Sequence, residues 1–141
     1  MEMEIVFPNE MAVDARYQVM VQGSNGMPEL SEAVIPTNQD GSAPTPFALF
    51  LASMGTCAGI YVLGFCRQRG LPTEGIRIIQ RMQTNPITRI IEEVELDIQV
   101  PSSFPQKYHS ALIRSASQCA VKKHLEQPPE FNVHTSVVET A

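Results

Sequence analysis

The thiols of Cys57, Cys66 and Cys119 are the groups in this chain of 141 residues best suited to nucleophilic or redox chemistry. Cys57 stands between Gly55, Thr56, Ala58 and Gly59, side chains too small to cover it, so a reagent could reach its sulfur. The competing reading is that an isolated helical cysteine behaves as a small buried hydrophobe. Cys66 takes that structural reading outright. Cys119 precedes Lys122, Lys123 and His124, whose positive charge could stabilise a thiolate. The odd count of three, widely spaced, excludes a disulfide-stapled secreted scaffold and points to a reducing, cytoplasmic setting. The acidic start, Met1-Glu2-Met3-Glu4, with no apolar stretch behind it, reads against a secretory signal.

Other constellations carry less. His109, His124 and His134 do not stand at ligand spacing to one another or to the cysteines, so no metal is expected. Glu93, Glu95 and Asp97 alternate along one strand face, where solvation accounts for them. Neither a phosphate-cradling glycine loop nor a paired CxxC is present, and no cofactor is expected. A net charge of -5 disfavours nucleic acid or an anionic membrane as partner, because both require clustered Lys and Arg.

The elements that must position the thiols can be read from periodicity and punctuation. Thr45 as N-cap and Pro46 at the first helical position open a helix; Arg67, Arg69, Gly70 and Pro72 close it. No residue from Phe47 to Cys66 is charged, long enough to cross a bilayer, and Gly55 with Gly59 forms a small-xxx-small pair. The flanking strand-like stretches favour instead a buried helix within a soluble fold. Before the helix, Ile5–Phe7, Tyr17–Val21 and Leu30–Ile35 read as an antiparallel meander with a turn at Gly23, Asn25 and Gly26. After it, two strands are expected, Ile76–Arg81 and a long run from Ile87 to Val100, then a second helix from Pro105 carrying Leu112, Ala116 and Val121, then a closing strand from Phe131 to Val138. The order βββ-α-ββ-α-β describes a single α+β domain over residues 1–141. With 43% apolar and 18% charged residues the chain can fill a core, which excludes disorder for most of it.

The stretch Pro44-Thr45-Pro46-Phe47-Ala48-Leu49-Phe50-Leu51-Ala52-Ser53-Met54-Gly55-Thr56-Cys57 resembles the signature helix of the OsmC family, the osmotically inducible and organic hydroperoxide resistance proteins. Cys119-Ala120-Val121 resembles that family's second cysteine motif, usually Cys-Pro-Val. The resemblance implies an intertwined homodimer around a long buried helix, in which Gly55 and Gly59 permit close helix packing. It further implies a thiol-dependent peroxidase acting on organic or lipid hydroperoxides: Cys57 peroxidatic, Cys119 resolving, and a dithiol reductant restoring both. The family's peroxidases hold an arginine near the first thiol through a glutamate, and Phe47 and Ala48 occupy the expected glutamate positions. No Lys or Arg lies between Arg16 and Arg67. Without a cation from Arg16, from beyond residue 66 or from a partner subunit, the Cys57 pKa is expected to be raised. The alternatives are a noncatalytic member that binds an apolar small molecule near Phe47, Phe50 and Cys57, and a redox sensor.

Overall fold

A computed structural model describes residues 1–139, which divide into two compact units, Met1–Ala52 and the unit beginning at Ser53. In the first, β1 (Glu4–Asn9), β2 (Ala12–Gln22) and β3 (Pro28–Asn38) form an antiparallel sheet in the order β1-β2-β3. Its register pairs Glu4 with Arg16, Arg16 with Val34, and Ala12 with Asn38. The turn between β2 and β3 closes through Gly23 N–H donating to Met27 O at 2.8 Å, with Gly26 at φ +80, a conformation only glycine adopts without strain. The meander expected from alternation is therefore present, with each strand longer than its alternating core. Thr37 Oγ1 donates to Val13 O, satisfying the one buried polar side chain among the described residues.

The long helix α1 (Pro46–Gln68) begins as its residues dictate. Thr45 Oγ1 accepts the Ala48 N–H at 3.2 Å, and Pro46 fills the first helical position. Its end is a Schellman arrangement: Gly70 at φ +64, Leu71 N–H donating to Cys66 O at 2.9 Å, and Gly70 N–H to Arg67 O at 3.3 Å.

In the second unit, β4 (Arg77–Thr84) and β5 (Ile91–Gln99) form an antiparallel ribbon, followed by a 3-10 turn (Gln106–Tyr108), α2 (His109–Ala116) and α3 (Ala120–Glu126). Ala58, Val62, Phe65 and Cys66 recur at helical spacing on α1 and make a core with Phe104, Leu112 and Ala116. Ile76, Ile78, Leu96, Ile98 and Val100 pack against that core, the apolar parity expected of the ribbon. Gly55 and Gly59 face β4 within the same chain: a Cβ at 55 would lie 2.6 Å from Gln80 Oε1, and one at 59 would lie 3.9 Å from Ile78 Cδ1. Within the chain, the close approach these glycines allow is helix to strand.

Three expectations are corrected. The second ribbon strand begins at Ile91, because Asn85 Oδ1 accepts the N–H groups of Ile87 and Thr88 and Arg89 takes φ +66, folding 85–90 into a turn. The second helix is broken: Cys119 at φ -46, ψ 124 leaves helical geometry, so Val121 belongs to α3 and not to the face that carries Leu112. The closing strand from Phe131 to Val138 is absent, and its Phe131, Val133 and Val137 are 89%, 90% and 100% exposed. Alternation makes a segment able to pair, but a strand needs an edge to pair with, and none of the described residues supplies one to it. The order observed is βββ-α-ββ-α-α, still α+β.

Candidate functional site

Cys57 and Cys119, far apart in sequence, meet in the second unit. Cys57 lies on α1, partly buried, on the turn before the core stripe. Cys119 is the N-cap of α3, and its sulfur accepts the Lys122 N–H at 3.4 Å. That cap is why the helix breaks here. A cysteine outside helical geometry starts a new helix, so the N–H groups of Ala120 and Val121 stand unused by the helix and turn toward the Cys57 sulfur. Both thiols are reduced and hydrogen-bonded to each other.

This arrangement separates the two thiols electrostatically. The Cys57 pKa is lowered, first by the Val121 N–H, then by the Cys119 thiol, with the Ala120 N–H adding to them and burial opposing. These donors favour the thiolate over the thiol. The Cys119 pKa is raised, first by burial and next by its hydrogen bond to Cys57, against the Lys122 N–H. The expected raised pKa at Cys57 is therefore reversed, and no cation is among the groups that lower it. The groups that lower it are two backbone N–H donors and the neighbouring thiol.

The cationic neighbours of Cys119 also act differently from expectation. Lys122 Nζ pairs with Glu126 at 3.7 Å and His124 Nδ1 lies 2.7 Å from Ala120 O, so their polar ends are engaged along α3. Cys66 is fully buried in the core, where burial raises its pKa against the opposing charge of Arg69; its structural reading holds. Arg16 stands on β2 in the first unit, between Glu4 and Val34 in register.

Glu95 and Asp97 accept from Arg81 Nη1 at 3.3 and 3.5 Å, which makes the acidic face a surface ion-pair cluster. Among the described residues no three His, Cys, Asp or Glu side chains converge as metal ligands would. A groove of about 520 Å³ opens beside the thiol pair, with Cys119, Met54, Leu96, Ile113 and Leu125 in its walls. A second cleft of about 450 Å³ lies between α1 and α2, with Tyr61, Arg69 and Arg114 in its lining. The Ala120 and Val121 donors have no side-chain signature. The signal available for them was the N-cap position of Cys119, visible only once the helix break is known.

A family model described as OsmC-like protein matches residues 39–134, a span that holds both cysteines. No curated protein matches the chain. Among solved structures, a hypothetical protein from Aquifex aeolicus is 18% identical with a TM-score of 0.56, covering 90% of this chain and 87% of its own. A Psychrobacter arcticus protein assigned to osmotic stress and detoxification response is 17% identical with a TM-score of 0.54, covering 86% and 85%. An OsmC-like hydroperoxide resistance protein from Jannaschia is 20% identical with a TM-score of 0.48, covering 96% and 91%.

Proposed function

The chain belongs to the OsmC-like protein family, and on that footing we propose that it is a thiol-dependent peroxidase that reduces organic or lipid hydroperoxides, with Cys57 peroxidatic and Cys119 resolving. The observation that carries this reading is the hydrogen-bonded pair of reduced thiols, one with its pKa lowered by backbone N–H groups and the other with its pKa raised. The Cys57 thiolate attacks one oxygen of the O–O bond; that oxygen stays on sulfur as sulfenic acid, and the other leaves with its organic group and takes a proton as alcohol. The Cys119 sulfur then attacks the Cys57 sulfur, displacing the hydroxyl as water and closing a disulfide. A dithiol returns two electrons and reopens it. Because Cys119 keeps its proton until Cys57 has been oxidised, the pair begins the cycle with one nucleophile rather than two competing ones.

The reading extends to assembly and setting. Phe47, Phe50, Ile60 and Leu63 on α1 are 58%, 41%, 67% and 42% exposed, apolar area that a homodimer would cover. By length and composition α1 is also apolar enough to cross a membrane; its stripe through Ala58, Val62 and Phe65 packs on the chain's own core, which supports the soluble reading. Three free thiols suit a reducing cytoplasm.

The test is single-turnover oxidation of the reduced protein with an organic hydroperoxide, followed by peptide mass mapping. Fast, stoichiometric linkage of Cys57 to Cys119 is expected. Intact thiols in a folded protein after exposure to several equivalents would overturn the peroxidase reading and leave ligand binding by the same scaffold. That no cation is among the described groups lowering the Cys57 pKa is the observation that favours that second reading.

A further inference from the structure

The cleft of about 450 Å³ between α1 and α2 is cationic. Arg69 and Arg114 line it, and no Asp or Glu among the described residues does. Neither guanidinium enters an ion pair among the described residues, in a chain whose net charge is -5. Arg69 is held in place: its Cζ lies 3.6 Å from the centroid of the Phe65 ring, and its Nη1 donates to Phe65 O at 3.3 Å. A guanidinium stacked on a ring keeps its remaining N–H groups in its own plane, where a carboxylate can accept two of them at once. Ser115 Oγ donates to Tyr61 O at 3.4 Å, which ties the two walls of the cleft together.

The same cleft leads back to the thiols. Cys57, Tyr61, Gly64 and Gln68 follow one another at spacings of four, three and four, which makes them one stripe of α1, and the last three line the cleft. On the opposite wall Gln118 directly precedes Cys119. The Arg69 side chain folds back over Phe65, eight residues beyond Cys57, so its charge stands roughly 12 Å along the helix axis from the level of that thiol. Neither arginine is among the groups that shift the Cys57 pKa. Their charge is placed for a ligand and not for the sulfur.

Resting on the reading that Cys57 reduces organic hydroperoxides, we propose that this cleft holds the carboxylate of an acidic organic hydroperoxide through Arg69 and Arg114, while the body of the molecule runs along the stripe toward Cys57. An organic carboxylate suits the cleft better than a bare inorganic anion, because Ile60, Tyr61 and Gly64 lie between the arginines and the thiol along α1 and offer a hydrocarbon stem mostly carbon to pack on. A compact neutral hydroperoxide gains nothing from the arginines. One whose peroxide and carboxylate stand at opposite ends of a long stem gains both binding and alignment, since fixing the anionic end limits where the O–O bond can lie. The arginines bind the substrate and take no part in the transfer of electrons at the sulfur.

Calorimetric titration of the reduced protein with decanoate tests the binding, with decanol and inorganic phosphate as controls. Decanoate is expected to bind about tenfold more tightly than either, and Arg69→Gln or Arg114→Gln to weaken it about tenfold. Unchanged decanoate affinity in both variants, or equal affinity for decanol, overturns the cleft assignment. Phosphate bound as tightly as decanoate overturns the organic carboxylate as its ligand. Single-turnover oxidation of the thiols by oleic acid hydroperoxide and by its methyl ester tests the substrate role. Below saturation the acid is expected to react about tenfold faster, a ratio that falls toward one in Arg114→Gln and is largely kept in Arg114→Lys, which retains the charge. Equal rates for acid and ester in the wild type overturn the substrate preference and leave the peroxidase reading standing. Oxidation by neither overturns the peroxidase reading, and the titration with decanoate still decides whether the cleft binds a carboxylate.

Discussion

Replacing Ala120 by proline isolates one hydrogen bond of the site. Ala120 is the first residue of α3, where proline is accepted because its missing N–H has no helical partner and its φ suits a helix start. Cys119 before it is outside the helical region, with ψ 124 inside the range that a residue preceding proline prefers. The contact removed is the Ala120 N–H on the Cys57 sulfur, the weakest of the hydrogen bonds that lower its pKa. Hydrogen bonds to charged groups contribute ~1.5–3 kcal/mol, and for the weakest of them, on a sulfur partly open to solvent, ~1 kcal/mol is the appropriate scale. At 1.36 kcal/mol per pKa unit, that shifts the thiolate-to-thiol ratio about fivefold toward the thiol, and lowers the thiolate population at neutral pH by up to that factor. Iodoacetamide alkylation of Cys57, followed by mass spectrometry as a function of pH, reads this directly. Reactivity rises with pH as the thiolate forms, so losing a donor moves the curve to higher pH; the neutral-pH rate falls, the alkaline plateau stays and the thermal midpoint does not drop. Ala120→Ser, which keeps the N–H, is expected to retain the wild-type profile. An unchanged curve in A120P would refute the argument that backbone N–H donors lower the Cys57 pKa.

Cys57→Ser abolishes hydroperoxide consumption with a dithiol present, whereas Cys119→Ser allows one oxidation and leaves a sulfenic acid at Cys57 that dimedone captures. Leu112→Ala, at a position 3% exposed in the core, costs ~2–5 kcal/mol by urea denaturation. Arg81→Ala costs under ~1 kcal/mol, because its ion pairs with Glu95 and Asp97 lie at the surface; a larger loss in a denaturation series would contradict that reading. Sedimentation equilibrium gives a mass near twice the 15.6 kDa of the chain, and Ile60→Glu shifts it toward one chain; a wild-type monomer would remove the homodimer from the proposal.

Where local chemistry decides the backbone, the sequence is a sufficient guide. Thr45-Pro46 and Gly70 set the ends of α1 through groups within a few residues of each other, and the period of two in β2, β3 and β5 reflects strands with one face covered. Ile87 to Ile90 misleads because an apolar run is also compatible with a turn when Asn85 caps it. Phe131 to Val138 misleads because alternation records a capacity to pair, while pairing requires an edge.

Periodicity, capping residues and motif were enough to find the long uncharged helix, the meander and ribbon, and the thiols to compare. The chemical character of the thiols came instead from contacts between distant residues. The pKa of Cys57 depends on the Cys119 thiol and on two N–H groups from residues remote in sequence, freed by a helix break at Cys119, and peptide dipoles leave no trace in side-chain identity. Ala120 stands where the motif that Cys119-Ala120-Val121 resembles usually has proline. In three dimensions it supplies an N–H that proline lacks and directs it at the Cys57 sulfur.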